Sequence, residues 1–200
     1  MSARQEAVNR TRDRIAAATF ELHATIGPAK TTISAVAERA GVQRHTVYHH
    51  FPDLNALFQA CTAHGLRVTG YPDPTPWRSI EDPVERLRVG LSEQYAYYRA
   101  NARLCRNILR DMPLFADVGG WEEFDDRYGQ IYQTLAECWT VDEALQPAVR
   151  AAVGHAIAFN TWESLTEPGL TDGQAVDMMV SFVTAIAMWR NLPISCSLLT

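Results

Sequence analysis

In the stretch TTISAVAERAGVQRHTVYHHF, residues 31–51, Ile33, Val36, Ala37 and Ala40 recur at helical spacing. They draw one apolar stripe along a short helix. Thr32 supplies a hydroxyl that can accept from an open backbone N–H of the first turn. Gly41 ends the helix, where a left-handed cap is cheap, and Val42 plugs the corner. Gln43 opens a second helix in which Val47 and Phe51, four apart, face the first. The outer positions of that helix are polar: Arg44 with Tyr48, His45 with His49, then Thr46 and His50. Two helices joined by a short Gly-containing turn match a helix-turn-helix, whose second helix enters the major groove of DNA.

Helical spacing continues along nearly the whole chain, which predicts an all-α protein of about nine helices. A first helix over 4–26 keeps Val8, Ile15, Ala18, Leu22 and Ile26 on one side and stops at Gly27-Pro28. After Phe51-Pro52-Asp53, a fourth carries Leu54, Leu57, Phe58, Cys61 and Val68 to about Gly70. YPDPTP, Tyr71 to Pro76, places three prolines in six residues and reads as a stiff linker. It sets an expected boundary between a domain of 1–70 and one of 71–200.

Beyond the linker, Pro83 starts a fifth helix with Val84, Leu87, Leu91, Tyr95 and Tyr98 in register. A shorter sixth spans 101–111, with Leu104, Cys105, Ile108 and Leu109 inward. A loop at 112–120 precedes a seventh helix over 121–139. The eighth and ninth, over 145–165 and 173–192, are unusually apolar. Their stripes, Val149–Val153–Ala156–Ile157 and Val176–Met179–Val180–Val183–Ile186, suit either an internal helix pair or a contact with a second copy. Gly154, Ala156 and Ala185 permit close helix approach.

Charge sharpens this division. The chain carries a formal −5, yet residues 1–60 hold seven Lys/Arg against five Asp/Glu, and the remainder eleven against eighteen. Four of the six histidines also fall in the first sixty residues. A mildly basic end and an acidic body suit one domain on DNA and another kept off it. There is no run of 18 apolar residues, so no membrane span is expected. The N-terminus has no apolar signal region, and four scattered cysteines, Cys61, Cys105, Cys138 and Cys196, fit reduced thiols in a cytoplasm.

The chemistry on offer is that of DNA reading. Arg44 can pair with guanine O6 and N7, with Gln43 and His45 beside it. Thr32, Thr46, Tyr48, His49 and His50 form the expected phosphate and backbone set, and Thr46 can also meet a thymine methyl. Arg4, Arg10, Arg12 and Arg14 are further phosphate candidates. No Gly-rich phosphate loop, H-E-x-x-H or G-x-S-x-G occurs, so no enzyme is expected. Cys61 and His64, three apart, share a helix face but lack a second closely spaced pair, so neither metal nor cofactor is expected.

The string TTISAVAERAGVQRHTVYHHFPD, followed by Leu57-Phe58, closely resembles the tetracycline-repressor (TetR) family of bacterial regulators. The threonine pair, the Ala-Gly-Val turn, the Thr-Val-Tyr core and the His-Phe ending carry the likeness, which is dense over roughly residues 10–60. The resemblance implies an all-helical homodimer that binds an operator through its N-terminal domain. It also implies a C-terminal domain that binds a small-molecule effector and releases the DNA. Two departures stand out. Leu54 occupies the place of a frequent phosphate-gripping lysine, and His23 that of a frequent phenylalanine, where it reads as a hydrogen-bonded core residue.

On this footing His64, Tyr95, Tyr98, Leu109, Trp121, Phe124, Tyr128, Phe159 and Trp162 are expected around a pocket for a hydrophobic or aromatic effector. Val153, Ile157, Met179, Val183 and Ile186 are expected at the dimer interface. The competing readings are a thiol-based redox-sensing regulator and a helical enzyme.

Overall fold

The computed structural model describes residues 3–189, and within them every regular element is a helix. These are α1 Ala3–Thr25, α2 Ile33–Ala40, α3 Arg44–His50, α4 Leu54–Val68, α5 Pro83–Asp111, α6 Glu122–Ala136, α7 Gln146–Ile157, α8 Phe159–Thr166 and α9 Asp172–Ala187. Short 3-10 turns stand at Pro28–Lys30, Pro76–Ser79, Met112–Phe115 and Glu143–Leu145. The expected end of the last helix at Leu192, and Cys196, lie outside the described residues. None of the described helices is long and apolar enough to cross a membrane.

The chain packs as two units that do not follow chain order. The first joins 3–71 to 99–127, and the second joins 72–98 to 128–189. The change at Tyr71-Pro72 falls in the proline linker. The stretch 99–127, beyond the expected boundary at 70, belongs with the N-terminal helices.

In the first unit, α1, α2, α3 and α4 enclose a core of Ile15, Ala18, Val36, Ala37, Ala40, Val47, Phe51 and Leu57. Val8 and Ile26, placed on the α1 stripe by spacing, are exposed at its two ends. The C-terminus of α1 is sealed from the far part of α5. Asn107 Nδ2 donates to the carbonyls of His23 at 3.2 Å and Ala24 at 3.0 Å. Arg103 donates to Thr25 O, and Arg110 to Ile26 O at 3.4 Å. Four successive carbonyls that a helix end leaves open are thereby satisfied. Buried Asp111 completes the clamp by accepting from Ala29 N at 3.0 Å.

Two helix assignments are corrected. The fifth and sixth predicted helices are one, α5, bent at Asn101 (φ −120°, ψ 21°) where the sixth was expected to begin. The predicted eighth helix is two, α7 and α8, broken at Ala158 (φ −70°, ψ 139°). The break leaves the carbonyls at the end of α7 without their usual partners. Tyr95 Oη donates to Ala156 O at 2.7 Å and Tyr98 Oη to Ile157 O at 2.8 Å. In the second unit α7 packs on α9, and a capping box of Thr171 and Gln174 starts α9.

Candidate nucleic-acid interface and effector region

The turn between α2 and α3 is built as the residues dictate. Thr32 Oγ1 accepts from Ala35 N at 3.1 Å. Gly41 adopts φ 63°, ψ 41°, a conformation open to glycine without a Cβ penalty. Val42 N then returns to Ala37 O at 2.9 Å. Val47 and Phe51 are buried beneath α3. The opposite face of α3 therefore has to look outward.

On that face Gln43, Arg44, His45, Tyr48 and His49 are exposed, while Thr46 and His50 are half-buried. Among the described residues, none of the five exposed side chains makes a hydrogen bond or ion pair. His49 and His50 stack edge to face at 5.5 Å. Arg12, one of the arginines expected on phosphate, is committed inside the unit. Its Nη1 donates to His50 O at 2.9 Å, and its guanidinium lies 4.4 Å from the Phe51 ring centroid. It pins the C-terminal end of α3 to α1. Burial, then the neighbouring His49 and Arg12 charges, hold His50 below its ordinary pKa. Leu54 is exposed at the start of α4, whose N-cap Asp53 accepts from Ala56 N at 2.8 Å.

The residues expected around one effector pocket divide between the two units. In the first, Phe58 is a hub, with ring centroids 5.2 Å from His23, 5.3 Å from Phe115 and 5.5 Å from Trp121. Phe124 meets Tyr71 at 5.4 Å, and Leu109 is exposed. His64 turns to Arg67, 3.1 Å away, and to the edge of Phe20. Burial and then Arg67 lower its pKa, against opposing pulls from Asp13 and Glu21.

In the second unit, Tyr98, Phe159 and Trp162 form a ring cluster with centroids 5.2–5.8 Å apart. Trp162 Nε1 donates to Asp172 at 2.9 Å. Tyr95 is fully buried, and Tyr128 is half-buried, its phenol pushed up by burial.

Cys61 and His64 do not converge. Cys61 Sγ lies 3.5 Å from Nδ1 of His23 instead. His23, expected as a hydrogen-bonded core residue, is 2% exposed. Burial brings its pKa down to about 4, against the pull of Asp111, and leaves Nε2 without a partner. Burial pushes the Cys61 thiol up to about 12 and also raises Cys138. A thiolate sensor needs the opposite shift.

The residues expected at a dimer interface face inward. Val153, Ile157, Met179 and Val183 are buried in the core of their own unit, and Ile186 is half-buried. The exposed apolar side of α9 carries Met178 and Phe182 instead, with Trp189 just past its end. Phe182 lies against His155, which with Ala151 is exposed on α7. Spacing alone finds the longest apolar stripe, and here that stripe is internal. Sequence reasoning also missed Gln94 and Trp77. Both are buried in the second unit, with amide and indole polar atoms unpartnered. An isolated glutamine in an apolar register was the available signal.

Residues 15–61 match the model of bacterial regulatory proteins of the tetR family. No curated protein matched the chain. Among solved structures, a protein of Mesorhizobium loti described as a TetR-family transcriptional regulator superposes with a TM-score of 0.60 at 18% identity, covering 90% of this chain and 96% of that one. A TetR transcription regulator from Haloarcula marismortui gives 0.59 at 17% identity, over 90% and 97%. NalD, the secondary repressor of the MexAB-OprM multidrug efflux pump in Pseudomonas aeruginosa, gives 0.58 at 18%, over 90% and 96%.

Proposed function

We propose, from the premise that residues 15–61 are a tetR-family DNA-binding domain on a TetR-family regulator fold, that this protein is an effector-responsive transcriptional repressor. The observation that carries the reading is the outward face of α3. Gln43, Arg44, His45, Tyr48 and His49 project without a hydrogen bond or ion pair among the described residues, while Val47, Phe51 and Arg12 fix the helix from behind. Arg44 reads base edges with Gln43 and His45 beside it. Thr32, Thr46, Tyr48, His49 and His50 hold the backbone. The protein acts in the cytoplasm, where the DNA is.

One such helix binds weakly alone, and a two-fold pair reaches successive major grooves about 34–36 Å apart. The homodimer forms through the exposed side of α7 and α9, around Ala151, His155, Met178 and Phe182. A small hydrophobic or aromatic effector binds the helical C-terminal part and favours a state that no longer fits the groove spacing. Operator DNA then weakens effector binding by the same factor, typically about 5–150-fold. The repressor role described for NalD supports repression here.

The test is selection of bound sequences from a random DNA pool at fixed salt. A palindrome is expected. Arg44→Ala should weaken the recovered site by about 1–3 kcal/mol and relax one base position in each half. Recovery of nothing above background overturns the reading.

A further inference from the structure

Gln94 is fully buried on α5, and among the described residues neither its amide nitrogen nor its amide oxygen has a hydrogen-bond partner. Native interiors leave few such groups unsatisfied, and each calls for an explanation. Its neighbours along the helix do not supply one. Leu87 and Leu91 are apolar and fully buried. The hydroxyl protons of Tyr95 and Tyr98 are given to the carbonyls of Ala156 and Ile157.

One turn before Gln94, on the same face of α5, stands Gly90. The missing side chain there admits Trp77 and Leu135: a Cβ would lie 3.3 Å from a Trp77 ring carbon and 2.7 Å from a Leu135 methyl. Trp77 is 1% exposed, and its Nε1–H is likewise unpartnered. The benzo edge of Trp77 therefore packs on α5 at Gly90, one turn from Gln94, so that this stretch of the second unit holds two open donors and one open acceptor on Gln94 and one open donor on Trp77, among aliphatic and aromatic side chains.

We propose that Gln94 is the recognition anchor of the effector site, and that the effector is an apolar or aromatic molecule bearing a carboxamide or lactam edge. A carboxamide presents a donor and an acceptor side by side. The complementary edge on a ligand closes a pair of N–H···O bonds with it, and the Trp77 indole has a third bond to give to the ligand carbonyl. A hydrocarbon leaves all four positions open, and a carboxylate offers no donor to the Gln94 oxygen. A site built to bond a polar group discriminates strongly against the analogue that lacks it. The assignment of this site to an effector rests on the repressor reading, but the chemistry of the site does not.

The experiment uses benzamide as probe and toluene as the apolar control, on the full chain and on Gln94→Met, which keeps an unbranched side chain and removes both bonding atoms. Benzamide should raise the melting temperature of the wild type and shift the Gln94 side-chain amide resonances. Its binding to Gln94→Met should be at least tenfold weaker, with toluene indifferent to the substitution. Without ligand, Gln94→Met should melt no lower than the wild type, because the open amide is gone. Equal benzamide binding by both proteins, or a lower melting point for ligand-free Gln94→Met, overturns the proposal. Should the variant fail to fold, unmoved Gln94 resonances in the wild type overturn it equally. Operator release is read separately. Gln94-dependent benzamide binding without release counts against the repressor reading and leaves the site standing.

Discussion

His23 is an imidazole kept neutral inside the first unit, 3.5 Å from a thiol and with one nitrogen unpartnered. Its pKa is about 4 in the fold and about 6.5 in an unfolded chain. Above pH 6.5 it is neutral in both states, and stability has its full value. As pH falls from 6.5 toward 4, only the unfolded chain takes up the proton. Stability then drops by up to about 3 kcal/mol, because each pH unit crossed between those two values costs about 1.4 kcal/mol. Asp111 acts in the same sense at lower pH. Its hydrogen bonds to Arg110, and secondarily to Ala29 N–H, hold its carboxyl low despite burial, and that support vanishes on protonation. His23→Phe should flatten urea-unfolding stability between pH 6.5 and 4; an unchanged slope would assign the acid lability elsewhere.

A second residue-scale effect runs the other way on DNA. Phosphate raises the pKa of an imidazole it touches, so operator affinity at constant salt should climb from pH 8 to pH 6. His50 should contribute at the acid end, since burial, His49 and Arg12 all disfavour its charge before DNA arrives. A flat profile of binding isotherms would remove the histidines from the interface.

At the scale of elements, the break between α7 and α8 exists because two phenols make it tolerable. Tyr95→Phe and Tyr98→Phe each leave a buried carbonyl open. Each should cost about 1–3 kcal/mol in thermal unfolding while leaving the α3 face untouched. A change near zero would mean that the backbone heals into one helix. Nothing at Ala158 announces this break: no glycine or proline stands there, and the apolar period runs through it. By contrast Thr32, Gly41, Val47 and Phe51 made α2 and α3 legible, because caps, turns and inward pairs are local. The kink at Asn101 was half-legible, as a boundary but not as a bend. The stripe expected at the dimer interface was ambiguous because Val153 and Val183 satisfy the same spacing whether a partner chain or their own unit covers them. Gln94 was legible only as a lone polar residue in an apolar register, since spacing does not report whether a buried amide has found a partner.

At the scale of the molecule, α5 serves both units: 83–98 packs with the second and 99–111 with the first. Residues 1–71 alone carry α3 with its contacts to α1 and α2 yet lack Arg103, Asn107, Arg110 and Asp111. That fragment should show fewer protected amides in α1 by hydrogen exchange than the full chain. Asn107→Leu in the full chain, which leaves the carbonyls of His23 and Ala24 open, should reproduce much of that loss at the amides of the last turns of α1. Equal protection in the fragment would show the clamp to be dispensable.

The clamp on α1 also bears on how such proteins can be recombined. The proline linker is the obvious crossover point, and a graft made there transplants a reading head without the side chains that finish its first helix. A working chimera would have to carry two separate pieces of chain, 1–71 and 99–127, or find in its new host two arginines, an asparagine and an aspartate already standing in the right places.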